Sequence, residues 1–146
     1  MLGGILMRVQ VGEVVTIDPV DATARVRLEE QDDKVSAPLR IVYNGTLKNK
    51  QYWMPKVEEH VLCLFTKESE GFIIGAFYSE QTPPPLQDKN KHYIEFEDGS
   101  NIEYDVSSHT LLVNIVGDIK IQSGQGKVVT LDGNLLSNIG SLTPKN

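Results

Sequence analysis

The chain lacks the features of a secreted or membrane-spanning protein. Its 146 residues include a single cysteine, Cys63, so no disulfide can form within the chain. The position of Cys63 in the apolar run HVLCLF predicts a small buried side chain. No apolar run approaches the ~18–20 residues that span a bilayer, and the start, MLGGILMR, has no basic residue ahead of its apolar ones, whereas a secretory signal does. We therefore expect synthesis in a cytoplasm, with export only inside a larger particle.

Positive charge is also scarce. Lys and Arg number 14 against 20 Asp and Glu, which gives a formal net charge of -6. A chain with this balance has no global positive field to attract phosphate backbones or anionic lipid, so we do not expect a nucleic-acid partner. The remaining composition, 40% hydrophobic and 23% charged, is that of a folded protein. Its length suits one ordinary domain, or one small domain with an appendage.

Five strand patterns in the first half predict a small all-β barrel. They cover residues 9–17, 23–29, 35–43, 60–66 and 72–78. The second alternates strictly and places Ala24, Val26 and Leu28 on one face, while Pro38 indicates an edge position or a bulge in the third. The last two are apolar on both faces, as central strands of a closed barrel are. A long excursion between the third and fourth strands favours a Greek-key barrel of the OB type, with an SH3-like barrel as the main competitor.

The pattern changes at residue 79. Pro83, Pro84 and Pro85 remove three backbone donors and favour an extended polyproline segment, which indicates a boundary between domains. We predict an N-terminal arm at 1–7, a barrel at 8–80, a proline-rich neck at 81–90, a ladder of strands at 91–137 and a tail at 138–146.

Evenly spaced turn signals divide the second half into short strands. They fall at Asp98-Gly99, Ser107-Ser108, Gly117-Asp118, Ser123-Gly124 and Asp132-Gly133. Between them apolar residues recur at a spacing of two, which puts them on one face of each strand. This period is typical of a β-solenoid or β-prism. The residues that we expect to form the interior are Ile94, Phe96, Ile102, Tyr104, Val113, Ile115, Ile119 and Ile121.

A ladder of this length needs a partner. A single ribbon with one apolar face buries too little surface to offset roughly 1–2 kcal/mol of backbone entropy per residue. Three copies around a common axis would point the apolar residues inward and the acidic residues outward. Strand edges that are hazards in a monomer would then pair between chains. The sequence therefore predicts an intertwined trimeric β-helix, and we expect Ile115→Asp to collapse it.

The order of short motifs along the chain resembles one known family. The motifs are VGEVV (11–15), ARVRL (24–28), WMP (53–55), GFIIGAFY (71–78), PPP (83–85) and FEDGS (96–100). This series, over about residues 8–122, resembles the baseplate assembly protein V family. These proteins are the central tail spikes of contractile-tailed bacteriophages and phage-tail-like bacteriocins, and they are similar to the spike part of type VI secretion VgrG proteins.

The resemblance implies a homotrimer in the baseplate of a virion tail or of an extracellular phage-tail-like particle, made in the bacterial cytoplasm. An OB-fold collar would contact the hub protein of the tail, and a β-helical needle would meet the target cell envelope first. Contraction of the sheath would drive this needle through the envelope, and the spike itself would catalyse nothing.

One feature of the family is missing from this chain. Several members end in a His-X-His motif that gathers imidazoles from three chains around an iron ion at the tip. Here the three histidines, His60, His92 and His109, are isolated from one another. We therefore expect no metal and no cofactor. A separate tip-capping protein would close the blunt end, or the polar tail would fold back as its own plug.

Enzymatic alternatives have few residues to support them. His92 and His109 lie near acidic residues, but the alternation of the strands already explains these carboxylates as a solvated face. A Ser-Ser-His turn at 107–109 offers neither a buried orienting acid nor an oxyanion hole. No pair of carboxylates is singled out for acid–base chemistry. We predict no catalytic residue.

Two binding functions are the remaining alternatives. OB barrels bind single-stranded nucleic acid on aromatic platforms in a basic groove, and the residues here that match are Tyr43, Tyr52, Trp53, Lys48, Lys50 and Lys56. A β-prism fibre that binds a receptor or glycan would expose a row of aromatic residues. Of the aromatic residues beyond the barrel, Phe96 and Tyr104 alternate with acidic ones and are expected to be buried.

Overall fold

The computed structural model describes residues 7–131. These residues form eleven β-strands and one short 3₁₀ turn, with no α-helix among them, so the predicted all-β class is confirmed. The chain divides into two compact units between Pro85 and Leu86, inside the predicted neck. Most of the arm and the whole C-terminal tail lie outside the described residues.

Six strands make up the first unit. They are β1 (Arg8–Asp18), β2 (Thr23–Leu28), β3 (Lys34–Val35), β4 (Leu39–Ile41), β5 (His60–Phe65) and β6 (Gly71–Ala76). The 3₁₀ turn covers Glu29–Gln31. Five strands close into a barrel in the order β1-β5-β6-β4-β2 and back to β1, and β3 extends the edge of β2. The β4–β6 pair is parallel, and the other pairs in the barrel are antiparallel.

Strand β1 closes the barrel because it pairs with two neighbours. Its first half, from Arg8 to Glu13, pairs with β5, and its second half, from Gly12 to Asp18, pairs with β2. The two pairings overlap at Gly12 and Glu13. A Cβ on Gly12 would lie 2.3 Å from the carbonyl oxygen of Arg27. Only glycine permits so close an approach of the two backbones.

The core lies inside this barrel. Ala24, Val26 and Leu28 are buried, which confirms the predicted face of β2, and Cys63 is fully buried as expected. Burial raises the pKa of the Cys63 thiol to about 11. The apolar core cluster consists of Val14, Ala24, Val26, Leu28, Leu39, Val61, Cys63, Phe65 and Ile73.

The third predicted strand, 35–43, is wrong as a single element. The structure divides it into β3 and β4, with Pro38 between them. Ser36 makes the break: its N–H donates to the carbonyl of Val26 and its hydroxyl accepts the N–H of Val26 at 3.0 Å. The predicted edge position is also incorrect for β4, which lies between β2 and β6.

Strands β5 and β6 lie close to their predicted bounds. However, β5 buries one face only: Val61, Cys63 and Phe65 are buried, whereas the alternate residues on the outer face remain half-buried. The outer apolar residues therefore point away from the core.

Five short strands make up the described part of the second unit. They are β7 (Lys91–Glu95), β8 (Asn101–Asp105), β9 (Thr110–Asn114), β10 (Ile119–Gln122) and β11 (Val128–Leu131). Strands β7, β8 and β9 form an antiparallel meander, and β10 and β11 form a hairpin. Four predicted turn positions fall between strands, at 98–99, 107–108, 117–118 and 123–124. The fifth, at 132–133, lies outside the described residues.

Candidate functional site

The register of the three-stranded sheet gathers the predicted apolar residues on one face. Ile94 lies opposite Ile102, and Ile102 lies opposite Val113. In the next row Tyr104 lies opposite Leu111. Because directly paired residues in an antiparallel sheet project to the same side, these side chains form one surface. We call it the ladder face, defined by Ile94, Ile102, Tyr104, Leu111 and Val113.

Two predicted interior residues lie just beyond strand ends. Phe96 follows β7 and continues its alternation, since its N–H donates to the carbonyl of Ser100 across the turn at 2.8 Å. Ile115 follows β9 and is half-buried. In the hairpin, Ile121 pairs with Val129, and Ile119 pairs with Leu131, so the two predicted isoleucines share one face there.

The opposite face of the sheet is charged. Lys91 and Glu103 form an ion pair at 3.0 Å, which raises the pKa of Lys91, first through their hydrogen bond and then through the charge of Glu103. The Tyr93 hydroxyl donates to Glu95 at 3.1 Å. The acidic residues of the alternation are thus on the polar side, as the sequence predicts.

The ladder face is uncovered in the single chain. Among residues 86–130 Ser100 alone is buried, and no apolar side chain there is. The exposed fractions on or beside the ladder face are Ile94 44%, Phe96 42%, Tyr104 41%, Leu111 63% and Val113 39%. Contiguous exposed apolar surface is typical of interaction sites, which makes the ladder face the candidate site of this unit.

Aspartates shape the turns that join the strands. Asp98 accepts the N–H of Ser100 at 2.8 Å, and Gly99 adopts φ +89°, a conformation that favours glycine. Asp105 accepts the hydroxyl and the N–H of Ser107. Hydrogen bonds from Ser100 lower the pKa of Asp98, and those from Ser107 lower the pKa of Asp105. Gly117 lies in a bend next to Asp118 and has no positive φ.

The three histidines occupy separate places. His92 lies opposite Tyr104 in the sheet, and His109 adopts φ +56° in a turn. His60, in the barrel, stacks on Phe77, and its Nδ1 lies 2.9 Å from the Ser79 hydroxyl. Within residues 7–131 no three His, Cys, Asp or Glu side chains come together as metal ligands would.

The structure brings part of the predicted nucleic-acid patch together. Tyr43 and Tyr52 stack with their ring centroids 6.2 Å apart, and Trp53 is 55% exposed beside them in sequence. The Tyr52 hydroxyl donates to the carbonyl of Pro19 at 3.3 Å. This bond ties the patch to a turn that carries Asp18 and Asp21, so its surroundings are mixed in charge.

A second apolar surface on the barrel was not among the predicted sites. It lies on the outer sides of β1, β5 and β6, where a hollow of about 480 Å³ is lined by Val11, Leu62, Ile74, Gly75, Ala76 and Phe77. Residues 60–66 and 72–78 are apolar on both faces, and this pattern is the sequence signal for the surface. The predicted central position in the barrel explains the pattern without an exposed outer face, which is why no site was predicted there.

No protein-family model matches the chain, and no curated protein matches it. Among the described residues no helix is long and apolar enough to cross a membrane.

Proposed function

We propose that this chain is the central spike of a contractile injection system, a homotrimer whose needle is driven through a target cell envelope. The observation that carries the proposal is the ladder face: a surface of apolar side chains on a unit whose described residues bury no apolar side chain. Full burial of a Val, Leu, Ile or Phe side chain contributes about 1.5–3 kcal/mol. Each chain has several such side chains on its ladder face, so association that buries them would stabilise the second unit.

Three copies are the arrangement that the alternating ladder pattern and the resemblance to the central tail spikes both favour, and the strand pairing is compatible with it. Among the described strands, β7 and β9 each pair on one side only. Their free N–H and C=O groups are available for pairing between chains. In a trimer the ladder faces would meet around the axis, and the Lys91–Glu103 side would coat the outside.

The barrel suits the collar of such a spike. Its five-stranded closed order with one parallel pair, β4–β6, supports the OB type over the SH3-like alternative. In the proposed arrangement residues 8–80 contact the hub protein of the tail, and 91–137 form the β-helical needle. A separate protein caps the tip, the sheath supplies the work, and the spike needs no catalytic residue.

The trimer is tested by a matched pair of substitutions on opposite faces of β9. Val113→Asp places three charges inside the needle and should abolish the trimer, because a buried unpaired charge costs several kcal/mol. Leu112→Asp changes the neighbouring residue, which is 49% exposed on the other face, and should leave the trimer intact. Sedimentation equilibrium measures both masses. Trimeric V113D would contradict the proposal.

The same pair tests the function in the particle. A contractile particle that carries L112D should assemble and kill its target at the wild-type level. One that carries V113D should lose both properties. Full killing by V113D particles would contradict a role for the ladder face in the spike.

One observation supports a second candidate function, the binding of single-stranded nucleic acid. The Tyr43–Tyr52 stack and the exposed Trp53 form an aromatic surface, and stacking on such residues contributes about 1–3 kcal/mol per base. Retention of a single-stranded oligonucleotide at low salt, lost in Trp53→Ala, would support this function. No retention would exclude it.

A further inference from the structure

The outer side of the barrel has an apolar hollow centred on a glycine. Leu62 lies opposite Val11 on one side and opposite Gly75 on the other. A Cβ built on Gly75 has no neighbour within 4 Å, so the missing side chain leaves the space open. Side chains from Val11, Leu62, Ile74 and Phe77 line it. The apolar lining and the open space suit apolar side chains of a docking partner.

The rim of the hollow is acidic at one end. Phe77 also lines a neighbouring groove of about 530 Å³ together with Lys56, Glu58 and Glu59. These three charged residues leave an excess of one negative charge beside the hollow. The partner that fits should therefore be apolar at its centre and basic at its margin.

A loop on the same barrel has these properties. No acidic residue stands between Asp33 and Glu58. Leu47 is 83% exposed, and Lys48 and Lys50 beside it are exposed as well.

Hydrogen bonds hold this loop in shape. The Asn44 side chain donates to that of Gln51 at 2.9 Å, and the N–H of Gln51 donates to the carbonyl of Gly45 at 3.0 Å. Leu47 is thus presented on a pre-organised turn, which lowers the entropy cost of docking.

We propose that the 44–51 loop of one copy docks in the Gly75 hollow of the next copy, around the ring of three barrels. Leu47 enters the hollow, and Lys48 and Lys50 lie toward Glu58 and Glu59. The inference rests on the proposed trimer. Two different surfaces that complement each other make a heterologous contact, which is the kind that closes into a ring. Tethering of the barrels through the ladder raises their effective concentration, so a contact of modest size suffices.

Both surfaces border the same strand. Trp53 lines a cleft of about 260 Å³ together with Ile74, Gly75 and Ala76, which places the loop region and the hollow next to each other on the barrel. This arrangement is compatible with a ring in which each copy uses both surfaces, one toward each neighbour. The occupant is a second copy of this chain because its loop supplies the apolar centre and the basic margin that the hollow requires.

Site-directed cross-linking of the full chain tests the contact. Leu47→Cys and Gly75→Cys are produced as two separate variants, mixed during refolding and treated with a short bismaleimide. Covalent dimers are expected in the mixture and not in either variant alone, because the contact joins two different surfaces. Val35→Cys, on β3 and 46% exposed, mixed with G75C is the matched control and should give none. The native Cys63 is buried, and its raised pKa keeps it unreactive at neutral pH.

The outcomes separate this inference from the proposed function. A trimer in sedimentation without cross-linked dimers would overturn the docking and leave the spike standing. A monomer would overturn both. Cross-linking of G75C to itself would show a contact between identical surfaces and overturn the proposal, as would protection of the position-47 thiol by a single-stranded oligonucleotide. If G75C fails to fold, Ile74→Cys, on the same rim and 45% exposed, replaces it.

Discussion

At the scale of single residues, two glycines of the barrel differ in what surrounds them. Gly12 lies where β1 passes from β5 to β2, and a side chain there would meet the Arg27 carbonyl and Val26 Cγ1 at 2.5 Å or less. Gly75 faces open space on the outside of β6. Both glycines lie within apolar strand patterns, and nothing in the sequence around them distinguishes their roles. Only the three-dimensional pairing shows that one is needed for closure and the other leaves a hollow.

The two glycines predict opposite results for the same substitution. Gly12→Ala should lower the free energy of unfolding by about 1–3 kcal/mol or more, because the added methyl group forces backbones apart. Gly75→Ala should leave it unchanged or raise it by up to about 1 kcal/mol, since alanine has less entropy to lose than glycine. Urea unfolding followed by the fluorescence of Trp53 measures both. Equal losses would contradict the closure described for β1.

At the scale of the elements, alternation in the sequence predicted most strands and their faces. A period of two in the sequence predicts the inward-facing residues of β2, which are Ala24, Val26 and Leu28. The same period predicts the face shared by Ile94 and Ile102. The break at Ser36 does not follow from this period, because it depends on two hydrogen bonds with Val26, a residue on another strand. The order of the strands in the barrel could not be predicted from alternation either, because the pairing of β4 with β6 joins distant parts of the chain.

The turn between β8 and β9 predicts an acid dependence for this sheet. Hydrogen bonds that stabilise the charged form depress the folded pKa of Asp105 below its ordinary value of 3.8. The stabilisation is therefore present above pH ~3.8 and is lost as the pH falls through the lower folded pKa. Amide hydrogen exchange of Ser107 and Ser108 should accelerate relative to unfolded controls as the pH falls from 5 to 2.

Asp105→Asn is the variant that checks this cause. Asparagine keeps an acceptor oxygen but has no charge to lose, so the acid-dependent part of the protection should shrink. Asp118→Asn, whose side chain makes no hydrogen bond within residues 7–131, should behave as the wild type. An unchanged pH profile in D105N would assign the acid effect to other groups.

At the scale of the whole molecule, the two units differ in how they can be stable. The barrel buries nine apolar side chains, whereas the described part of the second unit buries none. The apolar face of the ladder could be predicted from the regular period of two in the sequence. That this face is not buried within one chain could be predicted because the segment is too short to form its own core. The hollow at Gly75 could not be predicted, because a pattern that is apolar on both faces does not say which face stays uncovered.

This difference predicts that the two units respond differently to protein concentration. Association stabilises whatever it buries by mass action, so the melting temperature of the second unit should rise with concentration over a hundredfold range. Tyr93 and Tyr104 report on it by NMR, and Trp53 reports on the barrel. V113D should remove the concentration dependence of the second unit. A dependence that survives V113D would mean that the ladder face is not the interface.

Sedimentation velocity of the full purified chain tests the proposed trimeric spike most directly. We expect a single species with three times the chain mass of 16.2 kDa and a frictional ratio well above that of a sphere, as the proposed spike requires. A compact species with the mass of one chain, at concentrations up to the millimolar range, would contradict it.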